Sequence, residues 1–351
     1  MRDHWMTPCK SQTALLSINP HHATLAGMIL VTGATGFLGR HLIPQLLQAG
    51  NQVRALVRPE SDLAPLAAYD IELARAGDIT DFEGVRAAAE GCDIVVHAAG
   101  LFRFWGDQSD FWRTNVIGTR AVLQAVQAAG VQRFIYISTL AVVGRAAGGK
   151  PITEETPCRP QDAYQASKLG AEKEVREAMT DGLAANILRP GAYYGPGGQY
   201  AFNRLFFEEP LRGWRIQVNR GRYLTFPVYV PDVATCVVLA LRQGRPGQTY
   251  NICGPSISHR EANNIISELA GISRFRLPVP RLAALALAYG MTAISTITGR
   301  EPFYPTNLAH YVFQDWPVSI VKARSELNFR PTPFAEGAAT TLDWYKKNSA
   351  S

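Results

Sequence analysis

The 351-residue chain has five cysteines, Cys9, Cys92, Cys158, Cys236 and Cys253. They are odd in number and far apart, and no two form a Cys-x-x-Cys pair. A disulfide framework and a structural zinc site both need closer, patterned spacing, so neither is supported and a reducing, cytoplasmic compartment is expected. A lysine/arginine run interleaved with aromatics is missing too. Lys and Arg number 35 against 29 Asp and Glu, a net charge of +6. That mild excess suits a solvated surface and argues against nucleic acid as a partner. His4, His21 and His22 have no ligand spacing, and no metal site is expected. Residues 1–27 lack both the apolar core of a signal peptide and an Arg/Ser-rich amphipathic pattern. They read as a loosely ordered extension, or as the product of a start codon placed too early, with Met28 as the functional first residue.

What is present is a globular composition. Hydrophobic residues make up 47% and charged residues 18%, enough for a sizeable core. From Met28 the pattern alternates. Strands are expected at Met28–Thr32, Val53–Val57, Glu72–Ala76, Ile94–His97, Arg133–Ser138 and Ala185–Arg189. Helices are expected between them at Phe37–Ala49, Phe82–Ala89, Phe111–Ala129 and Ala163–Met179. Short β-rich runs separated by helices imply βαβ units and a parallel sheet. The expected fold is therefore α/β, a doubly wound (Rossmann) sheet over residues 28–190. Residues 191–351 read mainly as a smaller substrate-binding lobe interleaved with the sheet. It begins with a Gly-, Pro-, Arg- and aromatic-rich segment, Gly191–Pro227. A strand-helix pair follows (Val228–Val230 and Asp232–Leu241), then Gln248–Cys253 and helical Arg260–Ala270.

The first strand ends in VTGATGFLGR, residues 31–40. Strand, glycine turn and helix in that order form the setting of a dinucleotide site. Gly33 permits the sharp turn, Gly36 removes a Cβ that would block a pyrophosphate, and Gly39 lets helix and strand pack closely. A diphosphate placed there meets the amides and the positive dipole end of the helix.

The Gly-x-x-Gly-x-x-Gly spacing resembles the signature of the extended short-chain dehydrogenase/reductase family. Four more segments match in family order. They are GDITD (Gly77–Asp81), whose Asp78 would reach the adenine, HAAG (His97–Gly100), YQASK (Tyr164–Lys168) and RPGAYYGPG (Arg189–Gly197). The match runs from Met28 to about Tyr345. The resemblance implies cofactor contacts from Gly33, Thr35, Gly36, Phe37, Leu38, Gly39, Arg58, Asp78, Ile79, Ala98, Ala99, Gly100, Tyr164, Lys168 and Pro190. It also implies a homodimer.

An acid about 20 residues after the glycines would hold a ribose 2′-hydroxyl. Here Val57 takes that place, with Arg58 next and Arg54 nearby. A guanidinium suits a 2′-phosphate, so NADP(H) is preferred and NAD(H) stays possible. Tyr164 and Lys168 lie four apart on one helix face. An ammonium beside the phenol would lower its pKa and fit it for proton exchange with a substrate oxygen. Aligned on the family, the Ser/Thr that holds this oxygen falls on Thr139 and not Ser138. Asn115 matches a supporting Asn.

The substrate is a small molecule. Nucleotide-sugar epimerases and dehydratases of this family carry an Arg-Asp pair before a Val-x-Asp-Val-Ala segment. Here the segment reads LTFPVYVPDVA, with Thr225 and Phe226 in those places. Arg212, Arg215, Arg220 and Arg222 remain nearby as phosphate ligands. Aromatics at Phe102, Phe104, Trp105, Tyr193, Tyr194, Phe202, Phe206, Phe207 and Trp214 suit a bulky apolar ring system instead, with Phe102 and Tyr193 as substrate contacts. That pattern resembles the branch of 3β-hydroxysteroid dehydrogenases and dihydroflavonol reductases. Residues 279–297 are nearly uncharged. They are expected as a helix packed in the small lobe, with peripheral membrane contact as the alternative. The reading is an alcohol/ketone oxidoreductase. The alternatives are a sugar-nucleotide epimerase/dehydratase with tightly bound NAD, or a non-catalytic NADP sensor.

Overall fold

The computed structural model describes residues 27–145 and 149–348. The expectations for residues 1–26 lie outside the described residues. The six expected strands form as β1 Met28–Thr32, β2 Gln52–Val57, β3 Glu72–Arg75, β4 Ile94–His97, β5 Arg133–Ile137 and β6 Ala184–Pro190. Between them lie α1 Gly39–Gln48, α2 Phe82–Ala89, α3 Gln108–Trp112, α4 Gly118–Ala128 and α5 Ala163–Thr180. The chain continues through β7 Ala192–Tyr194, α6 Ala201–Asn203, α7 Glu209–Leu211, β8 Ile216–Val218, β9 Leu224–Thr225, β10 Pro227–Tyr229 and α8 Val230–Gln243. It ends with β11 Thr249–Ile252, β12 Ile257–Ser258, α9 His259–Ala270, β13 Leu277–Val279, α10 Arg281–Thr298, α11 Ala309–Val312, α12 Val321–Leu327 and α13 Phe334–Asn348.

Seven strands form one parallel sheet in the order β11-β6-β5-β4-β1-β2-β3. Its strands alternate cleanly between two cores. Ile29, Val31, Val96 and Ile135 pack on the face covered by α1 and α8, whereas Leu30, Val95, Phe134 and Tyr136 pack on the face covered by α2, α4 and α5. Both faces of the sheet's centre are buried, so the central strands β1 and β4 are nearly continuous apolar runs. β1 is flanked by β2 on one side and by β4 on the other. The chain therefore leaves β1 in one direction and returns on the far side. The loops after β1 and β4 then part to opposite faces and open a crevice at the carboxyl ends of the strands.

Two local expectations change. The single helix expected over Phe111–Ala129 is interrupted: α3 passes through a π-helical turn, Arg113–Ile117, before α4, and the turn buries Asn115. The helix expected over 279–297 forms as α10, but it is not packed into the lobe. Of its residues only Ala288 and Ser295 are buried, and Leu282 and Ile297 are 80% and 87% exposed. A uniformly apolar helix has no polar stripe to mark an outer face, so its composition read as core. The third core, built on Tyr194, Phe202, Phe206, Phe207, Phe334 and Leu342, closes without it.

Candidate active site

The turn after β1 runs at positive φ through Gly33 (φ +71°), where a Cβ would stand 2.8 Å from the Ala99 amide. Gly33 and Ala99 belong to the two loops that flank the switch point, so glycine lets them close on each other. The Gly33 carbonyl accepts from the Gly36 amide at 3.0 Å, which bends the chain into α1. A Cβ on Gly39 would lie 2.2 Å from the Ala34 carbonyl oxygen, so this glycine serves helix packing.

β1 and β4 are joined beneath the crevice by a buried proton chain. The Thr119 hydroxyl donates to the Asn115 carbonyl at 2.7 Å. It must therefore accept from His97 Nε2, 3.0 Å away. His97 Nδ1 then accepts from the Thr32 hydroxyl at 2.7 Å, and that oxygen accepts the Ala99 amide at 3.1 Å. Burial and the nearby Lys168 charge push the His97 pKa down to about 3, in keeping with this neutral tautomer. The Asn115 side chain accepts from the Leu101 amide (2.7 Å) and donates to the Leu101 carbonyl (3.0 Å) and to Ser167 Oγ (2.9 Å). One amide thus fastens the loop after β4 to the helix that carries Tyr164.

That helix, α5, starts at Asp162, whose carboxylate accepts the Gln165 amide at 2.8 Å. The cap sets the helix start, and with it the direction of Tyr164 and Lys168. Thr139 faces the Tyr164 phenol. Adjacent Ser138 points elsewhere, donating to Glu172 Oε1 at 2.6 Å. Glu172 is also held by Arg189 through contacts of 2.8 and 2.6 Å. Burial alone would raise this carboxyl; Arg189, Ser138 and Arg176 together keep it below the usual range.

The lysine does not act on the phenol as expected. Lys168 Nζ donates to the Ile137 carbonyl at 2.7 Å and sits 4.3 Å above the Tyr136 ring. Burial lowers its pKa to about 7 against the opposing pull of Glu172. Burial likewise raises Tyr164 well above an ordinary phenol, and Thr139 offsets only part of this. In this enclosed setting desolvation dominates, and Tyr164 is a protonated phenol.

Thr139, Tyr164 and Lys168 open onto one cavity of about 870 Å³. Gly33, Thr35, Gly36, Phe37, Leu38, Arg58, Asp78, Ile79, Ala98, Ala99, Gly100, Thr139, Tyr164, Lys168 and Pro190 line it, as do Phe102 and Tyr193. Gly39 does not. The Phe102 ring lies 4.6 Å from that of Tyr164 and 5.2 Å from Phe104, and Phe104 stacks on Tyr200 at 5.4 Å.

The description "NAD dependent epimerase/dehydratase family" fits residues 29–253, which match that family's model. The chain belongs to this family. It is an oxidoreductase-type enzyme of the extended short-chain dehydrogenases/reductases. It is 32% identical over 308 residues to the 4-hydroxy-2-methyl-3-oxo-4-farnesyl-3,4-dihydroquinoline-1-oxide ketoreductase of Stigmatella aurantiaca, spanning 85% of this chain and 90% of that protein. A 3 beta-hydroxysteroid dehydrogenase/Delta 5-->4-isomerase of Mycobacterium tuberculosis is 32% identical over 338 residues, 90% of each chain. Among solved structures, a double mutant of DesIV (dTDP-glucose 4,6-dehydratase) from Streptomyces venezuelae, with NAD and DAU bound, superposes with a TM-score of 0.74. It is 28% identical over 92% of this chain and 98% of that one.

The glycine cradle fits the dinucleotide of this epimerase/dehydratase family. Gly33 lets the two switch-point loops approach, and the wall from Gly33 to Leu38 continues past Arg58 to Asp78. Arg54 is turned away from it, bonded to Glu72 and to the Ala88 and Glu90 carbonyls. Arg212, Arg215, Arg220 and Arg222 are all absent from the cavity wall, as are Trp105, Tyr194, Phe207 and Trp214. The wall also holds residues the sequence reading passed over, among them Tyr200, His259, Leu308 and Tyr311. Tyr200 follows a Gly-Gly turn that read as loop. His259 sits one residue ahead of the expected helix, and its signal was the capping Ser258.

Proposed function

We propose that the chain reduces and oxidises a ketone/alcohol pair on a bulky apolar, ring-containing substrate, preferring NADP(H). The observation that carries this is the aromatic wall of Phe102, Phe104, Tyr200 and Tyr193 beside Tyr164. Thr225 and Phe226 stand where sugar-nucleotide enzymes would need a cation. Phe226 stacks on Trp316 at 4.3 Å, so that position is filled by packing. The names of the two relatives above, a ketoreductase and a steroid dehydrogenase, agree with such a substrate.

When bound, the nicotinamide supplies or takes up the hydride. Tyr164, a protonated phenol, donates its proton to the carbonyl oxygen as the alcohol forms. Thr139 orients that oxygen. Lys168, anchored on the Ile137 carbonyl, would hold the nicotinamide ribose. Arg58 would take the 2′-phosphate; its side chain is 62% exposed and, among the described residues, paired only with exposed Glu60 at 3.3 Å.

We further infer that a bilayer supplies the substrate. α10 has a mean hydropathy of 1.2 and only 11% of it is buried. Trp214 and Phe303, in ring contact with each other, are also exposed, and Arg281 and Arg300 bracket α10. Cationic ends around an apolar face suit anionic headgroups. The turn Thr306–Leu308 packs on α10, and Leu308 lines the cavity.

The test is to release and identify any nucleotide from the purified protein, then titrate NADPH and NADH and offer fused-ring ketones. Weakly held NADPH, consumed by such ketones, is the expected result. Tightly retained NAD with turnover of sugar nucleotides would replace this reading by the epimerase/dehydratase one.

A further inference from the structure

The part of the cavity wall built from β9 and α9 carries two polar side chains with no hydrogen-bond partner among the described residues. Thr225 is buried in β9, and His259 is the first residue of α9; both line the cavity. β9 and β12 pair antiparallel with Ile257 opposite Thr225, and the His259 amide donates to the Tyr223 carbonyl at 3.0 Å. One small, hydrogen-bonded unit therefore holds both. Neither the Thr225 hydroxyl nor the His259 ring bonds another side chain or carbonyl among the described residues.

His259 is uncharged at neutral pH. Burial pushes its pKa down to about 4 against a raising pull from Asp315. The positive end of the α9 dipole also opposes a cation there. The ring thus offers one N–H donor and one acceptor. Its aromatic neighbour is Phe206, edge-on at 5.4 Å, which stacks on Phe202 at 4.2 Å. The rings against Tyr164 are Phe102 and Phe111. Among the described residues no ring touches both, so Tyr164 and His259 stand against separate stretches of the cavity's aromatic wall. The cavity's Arg and Lys side chains, Arg58, Arg103, Arg113 and Lys168, all come from the β1–β6 half. The wall around His259 has none of them, which disfavours a carboxylate or phosphate there.

We propose that His259 and Thr225 form a second polar subsite that binds an uncharged oxygen, hydroxyl or carbonyl, on the substrate end remote from Tyr164. The assignment rests on the ketone-reductase reading for what binds at Tyr164. It makes the pair a specificity device. Unpaired polar groups in an apolar wall penalise a substrate that brings no partner to them.

The test uses two probes: a saturated steroid ketone with a hydroxyl on the ring farthest from the carbonyl, and the same skeleton without that hydroxyl. Binding to the NADPH-loaded protein is followed by fluorescence quenching, and turnover by NADPH absorbance. Wild type should favour the hydroxylated probe roughly five- to tenfold in Kd and KM. His259→Phe keeps a flat ring against Phe206 but removes both nitrogens. It should erase that preference by weakening only the hydroxylated probe, with kcat unchanged, and His259→Gln should restore part of it. An equal loss for both probes in His259→Phe, or no preference in wild type, would overturn the subsite. A preference in binding without NADPH consumption would uphold the subsite and reject the reductase reading. Absence of binding by either probe would overturn both.

Discussion

Ser138 donates its hydroxyl proton to Glu172 Oε1 at 2.6 Å, and the neighbouring Thr139 is thereby the hydroxyl left facing Tyr164. Two adjacent hydroxyls at a strand end thus serve different partners on α5, Ser138 the Glu172 carboxylate and Thr139 the Tyr164 phenol. Thr139→Val should lower kcat about 10²–10³-fold, the usual effect of removing one donor to a reacting oxygen. Because Thr139 also accepts the Ala141 amide at 3.2 Å, this variant should lose about 1 kcal/mol of stability. Thr139→Ser should retain both roles. Ser138→Ala should show the reverse pattern: activity near wild type, with stability lowered by about 1–3 kcal/mol because buried Glu172 loses a donor. Steady-state kinetics and denaturant melts on the three variants decide it. Inactive Ser138→Ala beside active Thr139→Val would exchange the two roles.

Arg58 offers a separate test of the cofactor preference. It lines the cavity, follows Val57 where an acid would select NAD(H), and pairs with a solvent-exposed glutamate. A charged hydrogen bond to a 2′-phosphate contributes about 1.5–3 kcal/mol. Arg58→Ala should therefore weaken NADPH about 10–100-fold and leave NADH nearly unchanged. Equal losses for both nucleotides would show that Arg58 reads no phosphate.

His97 predicts an acid sensitivity. Its folded-state pKa is about 3 and its ordinary value 6.5. Between these limits the unfolded chain binds the extra proton, so stability falls as pH drops through that window. From about pH 7 to about pH 4 the contribution is on the order of 3 kcal/mol. His97→Gln should be less stable than wild type at neutral pH, yet lose less on acidification. Urea melts at both pH values in the two proteins isolate the histidine, since every carboxyl is common to both. Parallel losses would mean that His97 is not held neutral.

The sheet was readable because its signals are local. β1 and β4 match their expected limits, since a buried parallel strand is a short apolar run with turn residues at its ends. The glycine turn and the Tyr164–Lys168 pair were readable for the same reason. What was not readable depends on long-range packing. The π turn that buries Asn115 has no mark in RTNVI, because the extra residue is paid for by contacts with Leu101 and Ser167 made across the fold. The direction of Lys168 follows from the Ile137 carbonyl, which only the folded sheet brings to it. Of the aromatics, Phe102 and Trp105 lie in one loop, yet only the first reaches the cavity.

α10 carries the prediction for membrane contact. In flotation with vesicles containing anionic lipid, the protein should rise with the lipid, more weakly in neutral vesicles or high salt. Ile297→Asp together with Leu282→Asp should abolish flotation while leaving NADPH binding intact, because both side chains are exposed. Flotation unchanged in this variant would remove α10 from the account.

The central claim is that Tyr164 passes the proton to the substrate oxygen. The direct measurement is Tyr164→Phe, assayed with NADPH and a ketone that wild type reduces, with NADPH affinity measured alongside. The account predicts a fall in kcat of about 10²–10⁴-fold or more, with NADPH bound as tightly as by wild type. Turnover at the wild-type rate, with the nucleotide bound, would contradict it and place the proton donor elsewhere.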